Sequence, residues 1–410
     1  MTVLRIGLWR AWIVFTRRPW AFSISAGLLL AQLLVSGKAA YWLVLALAIT
    51  ATGKELVDIA MKVFDHFKEV KAAKPVFRAE PMLLPYKSPY DRWAKFAADG
   101  GEAVHDPELD AELAADARIA FDAKPEMWRP TGKHEEVRAL KVSTLAFDED
   151  KVRLGSDLFA GTERVQVQRT SYSAFLVTNR LATCEFREKD SVHELIEFPD
   201  GPAAGHTELP RLEWSNCSNH IGVDVLAVAG GKLLLQRQTS RNELSKDLLA
   251  GSGSGSADWL DLDARRRRRT LRRRSRPRSS DLLAFVKHAM WREMVEEMGL
   301  SAAEQHQPDD IKVVGYSRVT SLGGKPQFYG IASLGRVTTR ITRKDKLFTF
   351  DHRTVDFDPY DGVPGLLVAL DEIERRYRGQ LSFPLAVNIQ LIRQWLDRDP
   401  AGAAAWLKLG

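Results

Sequence analysis

Hydrophobic positions are distributed very unevenly along this chain. Pro19–Gly37 runs 19 residues without a charge, and after Lys38 the run Ala39–Gly53 adds 15 more. At about 1.5 Å per helical residue the first run is about 28 Å long, close to the ~30 Å hydrocarbon core of a bilayer. The second is short for a span unless Lys54 and Glu55 sit at the interface or the bilayer thins locally. Ser36-Gly37-Lys38 suits a tight turn, and Trp20, Tyr41 and Trp42 fall near the two interfaces. The pattern predicts a two-helix transmembrane hairpin over residues 19–60. An interfacial segment at 1–18 precedes it, and a helical continuation at 61–75 ends at Pro75. Two other readings stay open, a cleaved signal peptide and a buried soluble hairpin. A second apolar run directly after the first argues against cleavage.

The pattern changes after residue 75. Residues 76–218 read as an α+β extension, with a helix over Pro107–Phe121, a strand-like run over Val165–Val177 and a loop at Gly201–Gly205. Ile221–Val228, Gly230-Gly231 and Lys232–Arg237 predict a β-hairpin through a Gly-Gly turn. Leu283, Val286, Met290 and Met294 recur at helical intervals and predict a helix from Asp281 to Gly299. Strands near Ile311–Ser317 and Gln327–Leu334 and helices near Val363–Arg376 and Leu385–Asp397 complete an α/β domain over 219–400.

Charge sharpens this division. The formal net charge is +6, yet Arg265–Arg278 contains ten arginines, and without them the chain carries −4. Arg5, Arg10, Arg17 and Arg18 precede the apolar runs, and Lys54, Lys62, Lys68, Lys71 and Lys74 follow them. The positive-inside rule therefore places both termini in the cytoplasm of a two-pass protein. Cys184 and Cys217 are too few for a disulfide scaffold or a structural zinc cluster. The histidines show no HExxH spacing and no G-x-S-x-G elbow occurs.

The candidate chemistry lies on the helix before Gly299. Glu293, Glu296 and Glu297 are related by i, i+3 and i+4, which brings three carboxylates onto one face. Like charges so placed repel unless a cation sits among them. Mg²⁺ or Mn²⁺ suits such oxygen ligands, and Arg292 supplies a second, internal source of positive charge.

Arg292–Leu300 (REMVEEMGL) resembles the second half of the Nudix box, G-x5-E-x7-R-E-U-x-E-E-x-G-U with U aliphatic. The resemblance implies a Nudix-like fold over about 219–400. It also implies metal ligation by Glu293, Glu296 and Glu297 and, if the chain hydrolyses substrate, catalysis through Glu296 and Glu297, with Glu297 the least dispensable. The first half of the box is missing or displaced, because its glutamate falls on Ala284 and its glycine on Arg278. In that place stands an insertion at 251–280, a Gly-Ser repeat (Gly251–Ser256) followed by the arginine run. The repeat reads as a flexible linker, or as a turn whose Gly251, Gly253 and Gly255 contact nucleotide phosphates with support from Arg292. The arginine run reads as a solvated loop, or as a contact for polyanions or acidic lipid. No aromatic residue interleaves it, so sequence-specific nucleic-acid recognition is not expected. His220 reads as structural, and Arg318, Gln327 and Tyr329 as strand residues either facing a ligand or buried.

A membrane hairpin joined to an eroded Nudix-like domain is similar to the two-transmembrane Nudix effectors of CBASS, antiphage systems run by cyclic oligonucleotides. That resemblance implies a bacterial inner-membrane protein that senses a nucleotide messenger, assembles with its own copies and disrupts the bilayer. Small residues Gly27, Ala31, Ala46 and Ala48 suit close helix packing. The alternatives are a membrane-anchored, Mg²⁺-dependent Nudix hydrolase of a nucleoside diphosphate derivative, and a lipid-surface scaffold held by the arginine run.

Overall fold

The fold is taken from a computed structural model. It describes residues 74–77, 92–132, 134–135, 138, 148–180, 184–187, 209–238, 247–262, 281–298, 307–334 and 351–410. The expected hairpin, the segment at 1–18, residues 61–73 of the helix expected over 61–75, the Gly201–Gly205 loop and the arginine run lie outside them, and the last two residues of that expected helix, Lys74 and Pro75, are in a strand instead. Among the described residues no helix is long and apolar enough to cross a membrane.

The elements follow in chain order. The first half gives β1 (Lys74–Phe77), β2 (Ala94–Ala98), β3 (Gly101–His105), α1 (Pro107–Ala114), β4 (Ala120–Met127), β5 (Asp150–Leu154), β6 (Arg164–Ser171), α2 (Tyr172–Val177) and β7 (Cys184–Arg187). The second half gives β8 (Gly222–Val228), β9 (Lys232–Arg237), β10 (Leu249–Ala250), β11 (Gly253–Ser256), α3 (Leu282–Met298), β12 (Ile311–Val319), β13 (Lys325–Ser333) and β14 (Asp351–Asp356). Helices α4 (Gly362–Arg376), α5 (Phe383–Arg398) and α6 (Pro400–Leu407) close the chain. Strands β1 and β7 pair with each other alone. The other described elements belong to one compact unit.

That unit is built on a mixed sheet in the order β10-β9-β8-β13-β12-β3-β2, with β11 on β8 and β14 on β9. The β8–β9 hairpin forms as its sequence requires. Gly230 and Gly231 have φ of +55° and +79°, the left-handed pair that a two-residue turn demands, and Ala229 and Lys232 exchange backbone hydrogen bonds of 2.9 and 3.1 Å. Strand β8 then divides its edge. Its first half pairs with β11, and Ala227 and Val228 pair with β9.

Helices cover both faces of this sheet. A Cβ at Gly330 would touch Met290 of α3, and one at Gly315, opposite Tyr329 in register, would touch Leu391 of α5. Neighbours along a strand face opposite ways, so α3 lies on one side and α5 on the other. The α5 side holds the larger core, in which Leu226, Leu235, Tyr329 and Ile331 meet Leu366, Leu370, Leu391, Ile392 and Leu407. Ser382 caps α5 by accepting from Leu385 N at 3.4 Å, and Pro384 follows in the first turn.

Two expectations from sequence are corrected. The helix begun at Pro107 ends at Ala114, because Asp116 takes a left-handed φ of +59°, and Ala120–Phe121 already belong to β4. The extended run expected to reach Val177 stops at Ser171, whose hydroxyl accepts from Ala174 N and starts α2. The extension expected over 76–218 joins the sheet of the segment that follows it. β3 pairs with β12 through Val104–Arg318 and Ala103–Val319, so the extension adds strands to the same sheet. Asp110 of α1 reinforces this join by accepting from Tyr316 N at 2.9 Å while meeting His105 Nδ1 at 2.6 Å. The packed unit also runs past residue 400, since Ala403 and Leu407 are buried.

Candidate functional site

Helix α3 presents its acidic face to β11 because its apolar stripe is committed elsewhere. Leu282, Phe285, Val286, Ala289, Met290, Met294 and Met298 are buried, at the three- and four-residue spacing of one helical side. Asp281 starts the helix by accepting from Leu283 N at 3.0 Å. This leaves Arg292, Glu293 and Glu297 along the flank that meets β11, with Glu296 exposed.

The Gly-Ser repeat is neither a linker nor a turn. Gly253–Ser256 is an antiparallel strand on Val225–Gly222, which corrects the expected linker or turn conformation. A Cβ at Gly253 would lie 2.5 Å from Met294 N, and one at Gly255 would lie 2.3 Å from the Glu293 carboxyl carbon. A Cβ at Gly251 would lie 2.6 Å from Val225 O. Glycine is therefore required where the strand grazes the helix and its neighbouring strand. The intervening serines hold the strand in place. The Ser252 hydroxyl donates to Leu234 O at 2.6 Å and accepts from Ala227 N at 2.8 Å.

The backbone of β11 is spent on the glutamates. Ser254 N donates to Glu297 Oε2 at 2.7 Å, and Gln236 Nε2 donates to the same oxygen. Ser256 N donates to Glu293 Oε1 at 3.2 Å. Asp224 of β8 is fully buried beside them, with Asn388 Nδ2 donating to its Oδ1 at 2.9 Å and the Ser254 side chain and Gly251 backbone N–H also acting on its carboxylate. Burial pushes the Asp224 carboxyl up to about 6. Burial, then the charge of Glu293, pushes Glu297 well above the usual carboxylate range. Burial also raises Glu293 against the pull of Arg292.

Arg292 is the centre of the charge pattern. Its Nη2 lies 3.0 Å from Glu293, 3.2 Å from Asp258 and 2.9 Å from Ser256 O, which accepts from it. Nε lies 3.3 Å from Asp261 and Nη1 lies 3.1 Å from Glu296. Burial would lower the guanidinium, but Glu293, Asp261, Asp258 and Glu296 together raise it. Asp258 is shared with Lys151 of β5, whose Nζ lies 2.5 Å from Asp258 and 2.6 Å from Glu149.

The three sequence-predicted glutamates thus divide. Glu293 and Glu297 converge on β11, while Glu296 has a side chain 60% exposed. The oxygen donors have the right chemistry for Mg²⁺ or Mn²⁺. Arg292 stands among them, and among the described residues no group of three or more His, Cys, Asp or Glu is arranged to hold a metal. Sequence reasoning missed Asp224, Gln236, Asp258, Asp261, Lys151 and Asn388. Only Asp224 carried a readable signal, as the one acid inside the apolar run Ile221–Val228. Arg318 is not a ligand-facing strand residue. It is buried against Asp157 at 3.2 Å and donates to Gly324 O and Pro210 O.

No family model matches this chain, and no curated protein matches it.

Proposed function

We propose that this chain is a nucleotide-sensing membrane effector of the CBASS type, in which a Nudix-like domain binds a cyclic oligonucleotide without needing to hydrolyse it. The observation that carries this reading is the commitment of the carboxylate face to the fold. Glu293 and Glu297 accept from β11 backbone N–H groups, and Arg292 fills the space among the acids. A face so occupied is suited to rigidity rather than to turnover. Ligand binding then acts by favouring one assembly of the cytoplasmic domains over another, and the apolar runs before residue 60 carry the response to the inner membrane. Full-length protein reconstituted in liposomes is the test. Binding of a cyclic oligonucleotide together with dye release and self-association is expected; intact liposomes and no binding across the cyclic di- and trinucleotides would overturn the reading.

A membrane-anchored, Mg²⁺- or Mn²⁺-dependent Nudix hydrolase is the second reading. It is favoured by the crowding of Asp224, Glu293 and Glu297, whose raised proton affinities mark a place where added positive charge would be stabilising. Phosphate release that disappears in Glu297→Gln supports the hydrolase. Toxicity that survives Glu297→Gln but needs residues 19–60 supports the effector.

A further inference from the structure

The start of β8 holds a second charge pattern that the carboxylate face does not explain. Lys325, at the start of β13, is buried, with 7% of its surface exposed. Its ammonium has three protons to donate, and its one hydrogen bond among the described residues is a long one, 3.4 Å to Gln327 Oε1. Among the described residues no carboxylate pairs with it. The charged group that acts on it most is another cation, Lys151, and burial with that repulsion lowers the Lys325 ammonium to about 8. Lys151 is itself engaged by Asp258 and Glu149, so it brings no spare acid.

Three further observations converge on the same point. His220 is buried with Nδ1 lacking a hydrogen-bond partner among the described residues, and burial, then Lys325 and Lys151, hold its ring well below the usual histidine range. The Phe175 ring lies 4.4 Å from the His220 ring and 5.3 Å from Lys325 Nζ, a wall and a partial compensation for the cation. Gly222 forms the floor. A Cβ there would lie 1.8 Å from Gln327 Oε1 and 2.7 Å from Lys325 Nζ, so the amide and the ammonium rest directly on its backbone. A buried ammonium with one weak hydrogen bond, beside an orphaned imidazole nitrogen, is far from satisfied. One aromatic face does not make up the difference.

We propose that Lys325, His220 and Gln327, seated on the Gly222 backbone, form a binding site for a phosphate-type oxyanion. Lys325 Nζ and the His220 Nδ1 position supply donors from two strand ends, and the negative charge supplies what the surrounding side chains lack. The site is distinct from the carboxylate face yet adjacent to it. Gly222 pairs in register with Ser256, which binds Glu293 and Arg292, and with Gln327 on the other side. The inference rests on the nucleotide-sensing reading only for the source of the phosphate, which there is the phosphodiester of the messenger.

The test uses the full-length chain in detergent, with inorganic phosphate and a cyclic dinucleotide as probes at constant ionic strength, followed by calorimetry and thermal shift. Lys325→Met and Gly222→Ala are compared with wild type. Gly222→Ala keeps every charge but sets a methyl group where the Gln327 and Lys325 side-chain ends lie, so it decides the matter if Lys325→Met does not fold. Binding of phosphate or of the dinucleotide weakened about tenfold or more in the variants supports the site. Both probes binding the variants as they bind wild type, or neither binding wild type, overturns it. Phosphate binding that depends on Lys325, with no cyclic oligonucleotide bound by wild type, sinks the sensing reading and leaves the site standing. Dinucleotide binding indifferent to both substitutions, without phosphate binding, does the reverse.

Discussion

Two clusters of buried charge sit two residues apart on β8, and they reach balance in opposite ways. Around Asp224 the acids crowd, and the chain answers with its own cation, because Arg292 touches Glu293, Glu296, Asp258 and Asp261 at once. Around Gly222 the cation Lys325 stands with no acid beside it among the described residues. The first cluster is balanced in large part within the chain and reads as architecture. The second is incomplete within the chain and reads as a place for something else. Burial makes both clusters costly, so what differs is where the compensating charge comes from.

The sharpest way to break this comparison is to remove the internal cation. Arg292→Met leaves Glu293, Asp258 and Asp261 facing one another without it and is expected to cost about 3–5 kcal/mol in urea unfolding. Adding Glu293→Gln to that variant should recover part of the loss. A variant as stable as wild type would mean that solvent, not Arg292, balances the acids.

The two clusters also predict opposite pH slopes. Asp224 moves from 3.8 to about 6 on folding, so its contribution is fully present below pH 3.8 and is lost as pH rises to about 6. Lys325 moves from 10.5 to about 8, so its contribution is fully present above pH 10.5 and is lost as pH falls to about 8. Each shift is worth about 3 kcal/mol. Between pH 6 and 8 both penalties apply, giving these groups a trough of stability near neutrality. Asp224→Asn should raise neutral-pH stability and flatten the acid limb. Lys325→Met should raise it and flatten the alkaline limb. Denaturation midpoints at pH 4, 7 and 10 check both, and a neutral-pH loss in either variant would contradict the assigned strain.

A smaller effect tests the packing that holds the acids in place. Gly253→Ala sets a methyl group against the Met294 backbone, which no rotamer change relieves. An overpacking loss of about 1–3 kcal/mol is expected. Gly132 has open space at its Cβ position but a φ of +57°, so any loss in Gly132→Ala would come from backbone strain alone and serves as the contrast.

Much of the unit was legible because its signals are local. The Gly-Gly hairpin, the apolar stripe of α3, strands β12 and β13 and helices α4 and α5 all follow from short-range periodicity. The end of α1 was missed because a left-handed Asp116 leaves no mark on the hydrophobic pattern. The joining of β3 to β12 was missed because pairing across some two hundred residues leaves no local trace. Composition misled at Gly251–Ser256, which suggests a linker, whereas its period of two is that of a strand with one glycine face. At the site, the face shared by Glu293 and Glu297 was readable from spacing. The partners of those residues were not, since Gln236, Asp258 and Lys151 come from other elements. Lys325 was invisible for a simpler reason: lysine at a strand end is normally at the surface.

Glu296 gives the smallest and most discriminating measurement. It shares the helix face with Glu293 and Glu297, yet its side chain is 60% exposed and its contact is an i, i+4 pair with Arg292. Such a pair is worth about 0.5 kcal/mol or less, so Glu296→Gln should leave the unfolding midpoint nearly unchanged. That near-neutrality is what makes the variant useful. Glu293 and Glu297 are tied to β11, so loss of activity on changing either one mixes chemistry with architecture. Glu296 carries little architecture. If the chain hydrolyses a nucleoside diphosphate derivative through this face, Mg²⁺-dependent phosphate release should fall in Glu296→Gln while stability holds. If the chain is the proposed effector and the face is purely structural, the binding and membrane disruption of that reading should persist in Glu296→Gln and fail only when Arg292 or β11 is disturbed.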